Sequence, residues 1–217
     1  PIFDYLIITH DHWDHLDYET VTRLREKVGV VICGLGVGAH LERWGYNADR
    51  IVEKDWYETV ELDKGFTLHT APARHFSGRG LKRNQSLWMS YILESPSGRI
   101  YIGGDSGYDS HYAAIGERFG KIDLAVLENG QYDKSWRYIH MLPEEVVQAA
   151  KDLNAERLLT VHNSKFSLGN HAWDEPLIRV FALAKEQGVD LITPAIGQKV
   201  DLKNTASSYQ PWWVEVK

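Results

Sequence analysis

Short apolar runs rich in β-branched residues alternate along nearly the whole chain with stretches in which apolar positions recur every three or four residues. The runs fall at 3–8, 29–33, 51–53, 58–62, 66–71, 87–94, 99–103, 123–127, 157–161, 190–193 and 197–201, lengths that suit strands. After the first, 17–28 predicts a helix: Asp17 can cap it, Glu19 favours its first turn, Val21, Leu24 and Val28 share a face, and Gly29 ends it. A short helix fits 39–45, stopped by Gly45, and another fits 110–118. In 143–153, Pro143 takes the first helical position, Glu144 and Glu145 follow, and Val146, Val147, Ala150 and Leu153 form one stripe. The last helix spans 175–187 and meets Gly188. Pro-Ser-Gly at 96–98 and Asp-Lys-Gly at 63–65 read as hairpin turns. Strands and helices interleave, so the class is α/β, or α+β with mixed sheets. Nothing in the composition marks a linker or repeat, and 1–217 is expected to form one domain.

Composition then narrows the functional classes. With 217 residues, 43% of them apolar, there is ample material for a core. No run of about 18 apolar residues occurs, so no transmembrane helix is expected in these residues. The 24 basic and 30 acidic side chains give a net charge of −6, which disfavours broad contact with nucleic acid, and no nucleic-acid partner is expected. One cysteine cannot make an intrachain disulfide, which fits a reduced compartment and a cytoplasmic location. The chain opens on Pro1 and enters an apolar run at once; residues upstream, with any targeting signal they carry, are expected to precede it.

Directly after the first run comes His10-Asp11-His12-Trp13-Asp14-His15. His10 and His12, two apart in extended chain, point to one side, whereas Asp14 and His15 can reach a second point a few ångströms away. Imidazole and carboxylate donors without cysteine suit Zn²⁺ and its neighbours, and they indicate a catalytic rather than a structural site. One turn cannot enclose two cations, so more donors should arrive from other strand ends. His75 follows 66–74, Asp105 follows Gly103-Gly104, and His162 follows 158–161. Singly, each also reads as a hydrogen-bonded strand-end histidine or a turn-forming aspartate. Together with the first cluster they read as a site.

This constellation resembles the metallo-β-lactamase superfamily, whose His-x-His-x-Asp-His hallmark is matched at 10–15. Within it the chain is similar to the branch containing the N-acylphosphatidylethanolamine-hydrolysing phospholipase D and its bacterial relatives. Segments 8–17, 72–80, 83–88, 103–108, 140–145 and 161–162 carry that likeness. The resemblance implies a four-layer αββα sandwich, with strands ahead of the first motif that this chain does not include. It also implies two divalent ions, Zn²⁺ by preference with Mn²⁺ or Fe as alternatives. His10, His12 and His75 would hold one and Asp14, His15 and His162 the other, with Asp105 between them. His140, just before the helix at 143, would lie beside the reaction centre and orient substrate or protonate a leaving group.

Coordination lowers the pKa of water from about 15.7 to roughly 7, which makes a nucleophile available at neutral pH. Two divalent ions outweigh Asp14, Asp105 and a hydroxide between them, so a small anionic or phospholipid-like substrate is favoured. The expected activity is metal-dependent hydrolysis of a phosphodiester, with Asp14 and His140 as catalytic residues and His171, Ser77 and Arg79 as substrate contacts. Lactone, ester or β-lactam hydrolysis would use the same donors, and a metal-binding protein without catalysis is the reading from another class. Gly34-Leu35-Gly36-Val37-Gly38-Ala39 superficially satisfies a dinucleotide fingerprint, but the helix after it is too short for the usual crossover. His40, His69 and His111 join no motif and are expected to be structural.

Overall fold

A computed structural model describes residues 1–165, 168–202 and 209–216. One sheet is parallel and holds β1 (Phe3–Ile7), β2 (Val28–Gly34) and β3 (Ile51–Lys54), in that order. The other holds β4 (Thr59–Glu61), β5 (Thr67–Ala71), β6 (Ser90–Ser95), β7 (Gly98–Ile102), β8 (Leu124–Glu128), β9 (Arg157–Val161) and β10 (Asp190–Ile192). Its spatial order is β10-β9-β8-β7-β6-β5-β4, antiparallel from β4 to β7 and parallel from β7 to β10. Among the described residues five α-helices accompany them: α1 (Tyr18–Leu24), α2 (Gly38–Arg43), α3 (His111–Phe119), α4 (Pro143–Asp152) and α5 (Glu175–Gln187).

The two-residue period of the strands sorts side chains into three apolar layers. From β1 and β2, Tyr5, Ile7, Val30 and Ile32 enter the space between the sheets, where Leu68, Tyr91, Leu93 and Ile102 of the larger sheet meet them. Leu6, Val31 and Cys33 face the other way, against Val21 of α1 and Leu41 of α2. On the far side of the larger sheet, Ile92, Tyr101, Ala125, Leu127 and Leu158 pack against α3, α4 and α5 through Ile115, Val146, Ala150 and Val180. The result is the expected αββα sandwich. Tyr91 ties its halves together, donating its hydroxyl to the Ile8 carbonyl at 2.7 Å across the inter-sheet layer.

Three expectations change. The first helix stops at Leu24; one 3₁₀ turn over Arg25–Lys27 follows, and Val28 already begins β2. Gly29 therefore lies inside a strand, where a β-carbon would sit 2.6 Å from the Asp4 carbonyl oxygen. Asp17 does cap α1, accepting the Thr20 N–H at 2.8 Å. The run at 87–94 becomes a strand only from Ser90, because Leu87 and Met89 donate instead to the Leu35 and Thr9 carbonyls of loops beside the smaller sheet. Among the described residues no strand forms at 197–201, and β10 is the last strand on that side.

Gly34 and Gly36 serve the 85–89 crossing. A β-carbon at Gly34 would meet the Leu87 carbonyl oxygen at 2.3 Å, and one at Gly36 would meet that of Gln85 at 2.7 Å. Close backbone approach, not phosphate binding, accounts for this pattern. No helix among the described residues is long and apolar enough to cross a membrane.

Candidate metal centre

The loops that leave β1, β5, β7, β8 and β9 meet at one end of the sandwich. After β1 the chain turns tightly, with the His15 and Leu16 N–H groups both donating to the His12 carbonyl, and this presents four side chains within one turn. Asp105 follows β7 through Gly104, whose φ of +61° favours glycine and whose contact with Thr9 (a β-carbon would lie 2.8 Å from Thr9 Cβ) leaves no room for a side chain. His162 directly follows β9 with φ 64°.

Seven sequence-predicted side chains converge there. The Nδ1 of His12 lies 3.0 Å from the Nε2 of His10 and 3.0 Å from the Nε2 of His75. His75 donates its other ring nitrogen to the Ile139 carbonyl at 3.0 Å, which fixes the tautomer and leaves Nε2 with a lone pair aimed at the centre. On the other side, the Nε2 of His15 is 3.2 Å from that of His162, and Asp14 Oδ2 lies 3.0 Å from His162 Nε2 and 3.5 Å from His15 Nε2. Asp105 stands between: its Oδ2 is 3.2 Å from His15, 3.8 Å from His10 and 3.9 Å from His75, and its Oδ1 is 3.5 Å from His162 Nδ1.

The donor chemistry fits cations. With the His10 and His75 Nε2 atoms each 3.0 Å from His12 Nδ1, these three nitrogens cannot all hydrogen-bond to one another, and their lone pairs repel unless something positive lies among them. Asp105 Oδ1 and His162 Nδ1 are buried without a hydrogen-bond partner, a costly arrangement unless the atoms serve a ligand. Among the described residues three overlapping groups have geometry able to hold an ion, His10-His12-His75-Asp105, Asp14-His15-His162 and Asp105-His140-His162, each with donor atoms within 4.8 Å of one another.

Electrostatics divides the first two groups. Burial holds His10 well below its ordinary pKa, lowers His12, and pushes His75 down to about 3, so these rings are neutral, as metal ligation demands. Burial also works against a charge on His15, but hydrogen bonds and Coulomb attraction from Asp105 and Asp14 outweigh it and raise the pKa to about 10. Asp14 is held below the usual carboxylate range by hydrogen bonds from His15 and His162. Asp105 is lowered too: burial opposes its charge, yet His15, His162 and His10 prevail. A proton on His15 and a divalent cation therefore compete for one pocket of negative charge.

His140 also reaches the centre. One of its ring nitrogens lies within 4.8 Å of donor atoms of Asp105 and His162, and its ring is 5.3 Å from that of His75 and stacked 5.9 Å from that of His162. Behind it stands a residue that the sequence reading missed. Glu128, the last residue of β8, has a fully buried side chain, accepts the Met141 N–H at 2.7 Å, and places the same oxygen 3.6 Å from His140 Nδ1. Burial disfavours a charge on His140, but Glu128 outweighs it and raises the pKa. The signal was present: Glu128 ends a parallel strand between the two whose ends lead to Asp105 and His162.

The three expected substrate contacts sit differently. Ser77 is fully buried; its hydroxyl donates to the Ser86 carbonyl at 2.7 Å and accepts the Ser86 N–H at 3.2 Å, so it closes its own loop and offers nothing to a ligand. Arg79 donates Nη1 to the carbonyls of Asp11 (2.8 Å) and Leu16 (2.6 Å), with its guanidinium between the rings of Trp13 and Trp44. Its charge is engaged in holding the first loop. His171 stacks on Tyr132 at 4.3 Å and lines a separate cavity with Asp133, Asn170 and Arg179. The cavity next to the donors, about 450 Å³, is lined by His12, Trp13, Phe76, Gly78, Arg79, Gly80 and Arg83. A larger one of about 630 Å³ runs along β1 beside Phe3, Tyr5, Leu62 and Phe66, and none of the candidate residues lines it. Of the remaining histidines, His40 faces Asp11 at 3.5 Å, His69 faces Glu94 at 3.4 Å, and His111 meets Ser106 at 3.3 Å.

Known proteins are similar to this chain in sequence or fold. An uncharacterized protein of Mycobacterium tuberculosis is 43% identical over 220 residues, 98% of this chain and 58% of that protein. The mitochondrial N-acyl-phosphatidylethanolamine-hydrolyzing phospholipase D of Saccharomyces cerevisiae is 34% identical over 198 residues, 87% of this chain and 42% of that protein. The chain thus spans roughly half the length of these curated relatives. Among solved structures, Igni18, a metallo hydrolase from the archaeon Ignicoccus hospitalis, superposes with a TM-score of 0.73 at 20% identity, covering 91% of this chain and 78% of that one. Residues 1–163 match the family described as the Beta-lactamase superfamily domain, and the chain belongs to that superfamily.

Proposed function

We propose that this chain carries the two-cation site of a hydrolase that cleaves phosphodiesters of the phospholipid type. The observation that carries the reading is the convergence of seven donor side chains in two sets that share Asp105. His10, His12 and His75 would hold one divalent ion, by preference Zn²⁺, Asp14, His15 and His162 the other, and Asp105 would contact both. Bound there, the ions supply Lewis acidity toward a phosphoryl oxygen and lower the pKa of water to near neutrality.

The chain's own residues do the rest. Asp14, with 31% of its side chain exposed against 4% for Asp105, faces the solvent side and orients the incoming water. Glu128 behind His140 outweighs burial and favours its protonated form, and His140 delivers that proton to the leaving oxygen. Arg83, which covers the Phe76 ring at 4.9 Å, lines the cavity beside His12 and complements an anionic headgroup. Every loop that brings a histidine to the centre also exposes a large apolar side chain: Trp13, Leu81, Tyr138, Leu168 and Trp173. Of these, Trp13 lines the cavity beside His12, and an exposed apolar side chain next to the donors suits a substrate with one charged and one hydrophobic part. The likeness to the yeast enzyme named for cleaving N-acyl-phosphatidylethanolamine supports the same substrate class.

The test compares a phosphodiester, a lactone and a β-lactam on metal-replete protein. Turnover of the diester that a chelator abolishes and Zn²⁺ restores is expected. A strong preference for the lactone or β-lactam would overturn the substrate class, and turnover indifferent to chelator would overturn the site.

A further inference from the structure

Asp11 lies between two of the converging histidines and belongs to neither donor set. Its side chain is 3% exposed, its Oδ1 accepts the Gly78 N–H at 2.8 Å, and its Oδ2 stands 3.5 Å from His40 Nε2. A buried carboxylate is costly unless its lone pairs are occupied, so Gly78 cannot move away without leaving an oxygen unsatisfied. Arg79, the next residue, repeats the link in the other direction through its bonds to the Asp11 and Leu16 carbonyls. The rings of Trp13 and Trp44, 4.8 Å and 4.9 Å from its guanidinium carbon, hold it in place.

This clasp joins two particular segments. One is the loop after β1, which supplies His10 and His12; the other is the loop after β5, which supplies His75 three residues before Gly78. The second donor set instead draws its distant member, His162, from the end of β9. We propose that Asp11 and Arg79 are positioning residues that set the separation of His12 from His75, and so tune cation affinity at the His10-His12-His75 position selectively over the other. The proposal rests on the two-cation reading above.

Outer-shell partners of this kind change metal affinity by about 10–100-fold when removed. Co²⁺ titration of metal-free full-length chain, followed by visible absorption and calorimetry, reads the effect without any substrate. Wild type should take up two Co²⁺. Asp11→Ala should weaken one of the two positions by about 10–100-fold and leave the other within threefold. Asp11→Asn, which keeps an oxygen for the Gly78 N–H, should behave as wild type. In a His162→Ala background, which leaves the first donor set whole, the Asp11→Ala loss should persist; in a His75→Ala background it should vanish. Arg79→Ala should weaken the same position, and it carries the test if Asp11→Ala does not fold.

Two wild-type sites with unchanged affinities in Asp11→Ala and Arg79→Ala would overturn the clasp alone. Equal weakening at both positions would overturn its selectivity, and failure of Asp11→Asn to rescue would show that charge, not the Gly78 bond, is what matters. Fewer than two sites in wild type would overturn the two-cation reading itself.

Discussion

Replacing Glu128 with glutamine removes a negative charge and almost no volume. The Met141 N–H still finds a side-chain oxygen to replace the 2.7 Å bond it donates to Glu128, so the backbone entering α4 has no reason to move. What is lost is the carboxylate 3.6 Å from His140 Nδ1. A hydrogen bond to a charged group contributes about 1.5–3 kcal/mol, or roughly 10- to 150-fold in rate if the whole of it acts on a transition-state proton. The 3.6 Å spacing is slightly beyond hydrogen-bond range, which places the expected loss near the lower end, about 10- to 30-fold in kcat. The loss should depend on the leaving group. An alkoxide needs its proton, whereas p-nitrophenolate departs unaided, so Glu128→Gln should slow a dialkyl phosphodiester, followed by ³¹P NMR, and hardly affect bis(p-nitrophenyl) phosphate. A double-mutant cycle completes the assay: His140→Gln should cost about 10²- to 10⁴-fold on the dialkyl substrate, and adding Glu128→Gln should cost nothing more. Equal losses on both substrates, or additive losses in the cycle, would refute the view that Glu128 acts through His140.

His12→Ala should lose bound metal and activity together; metal analysis of the purified variant checks this, and a variant keeping both would remove His12 from the donor set. Gly130→Ala should destabilise the fold by about 1–3 kcal/mol, because its β-carbon would lie 2.1 Å from the His162 carbonyl oxygen; urea unfolding measures it, and an unchanged midpoint would contradict the close packing. His111, whose pKa burial lowers to about 4, is neutral when folded at a pH where the unfolded chain protonates it. Its contribution is therefore complete above pH 6.5 and lost as pH falls from 6.5 toward 4, at most about 3 kcal/mol. Wild type should accordingly lose more stability than His111→Gln between pH 7 and pH 4.5, and parallel losses would contradict the burial argument.

The first cluster was legible because its donors are neighbours in sequence: a strand followed by one turn is enough to aim His10, His12, Asp14 and His15. His75, Asp105 and His162 were legible because each follows a predicted strand within four residues, and strands of one sheet end together. Glu128 escaped notice because a single acid closing an apolar run reads as a strand boundary, and its partner lies twelve residues further on in a loop. That Ser77 and Arg79 bond within the protein was hidden for a related reason. Polar side chains in a motif suggest a ligand, but the nearest acceptors proved to be carbonyls of the protein itself, and carbonyl positions leave no trace in sequence. The run at 197–201 has the alternation of a strand but pairs with no strand among the described residues, and pairing is a property of the sheet, not of the segment.

The two-cation site is tested most directly by diffraction data collected on either side of the zinc absorption edge from crystals grown with Zn²⁺. Two anomalous peaks are expected, one among the ring nitrogens of His10, His12 and His75 and one among Asp14, His15 and His162, with Asp105 touching both. A lone peak outside these side chains, or density with His75 or His162 turned away from the others, would contradict it.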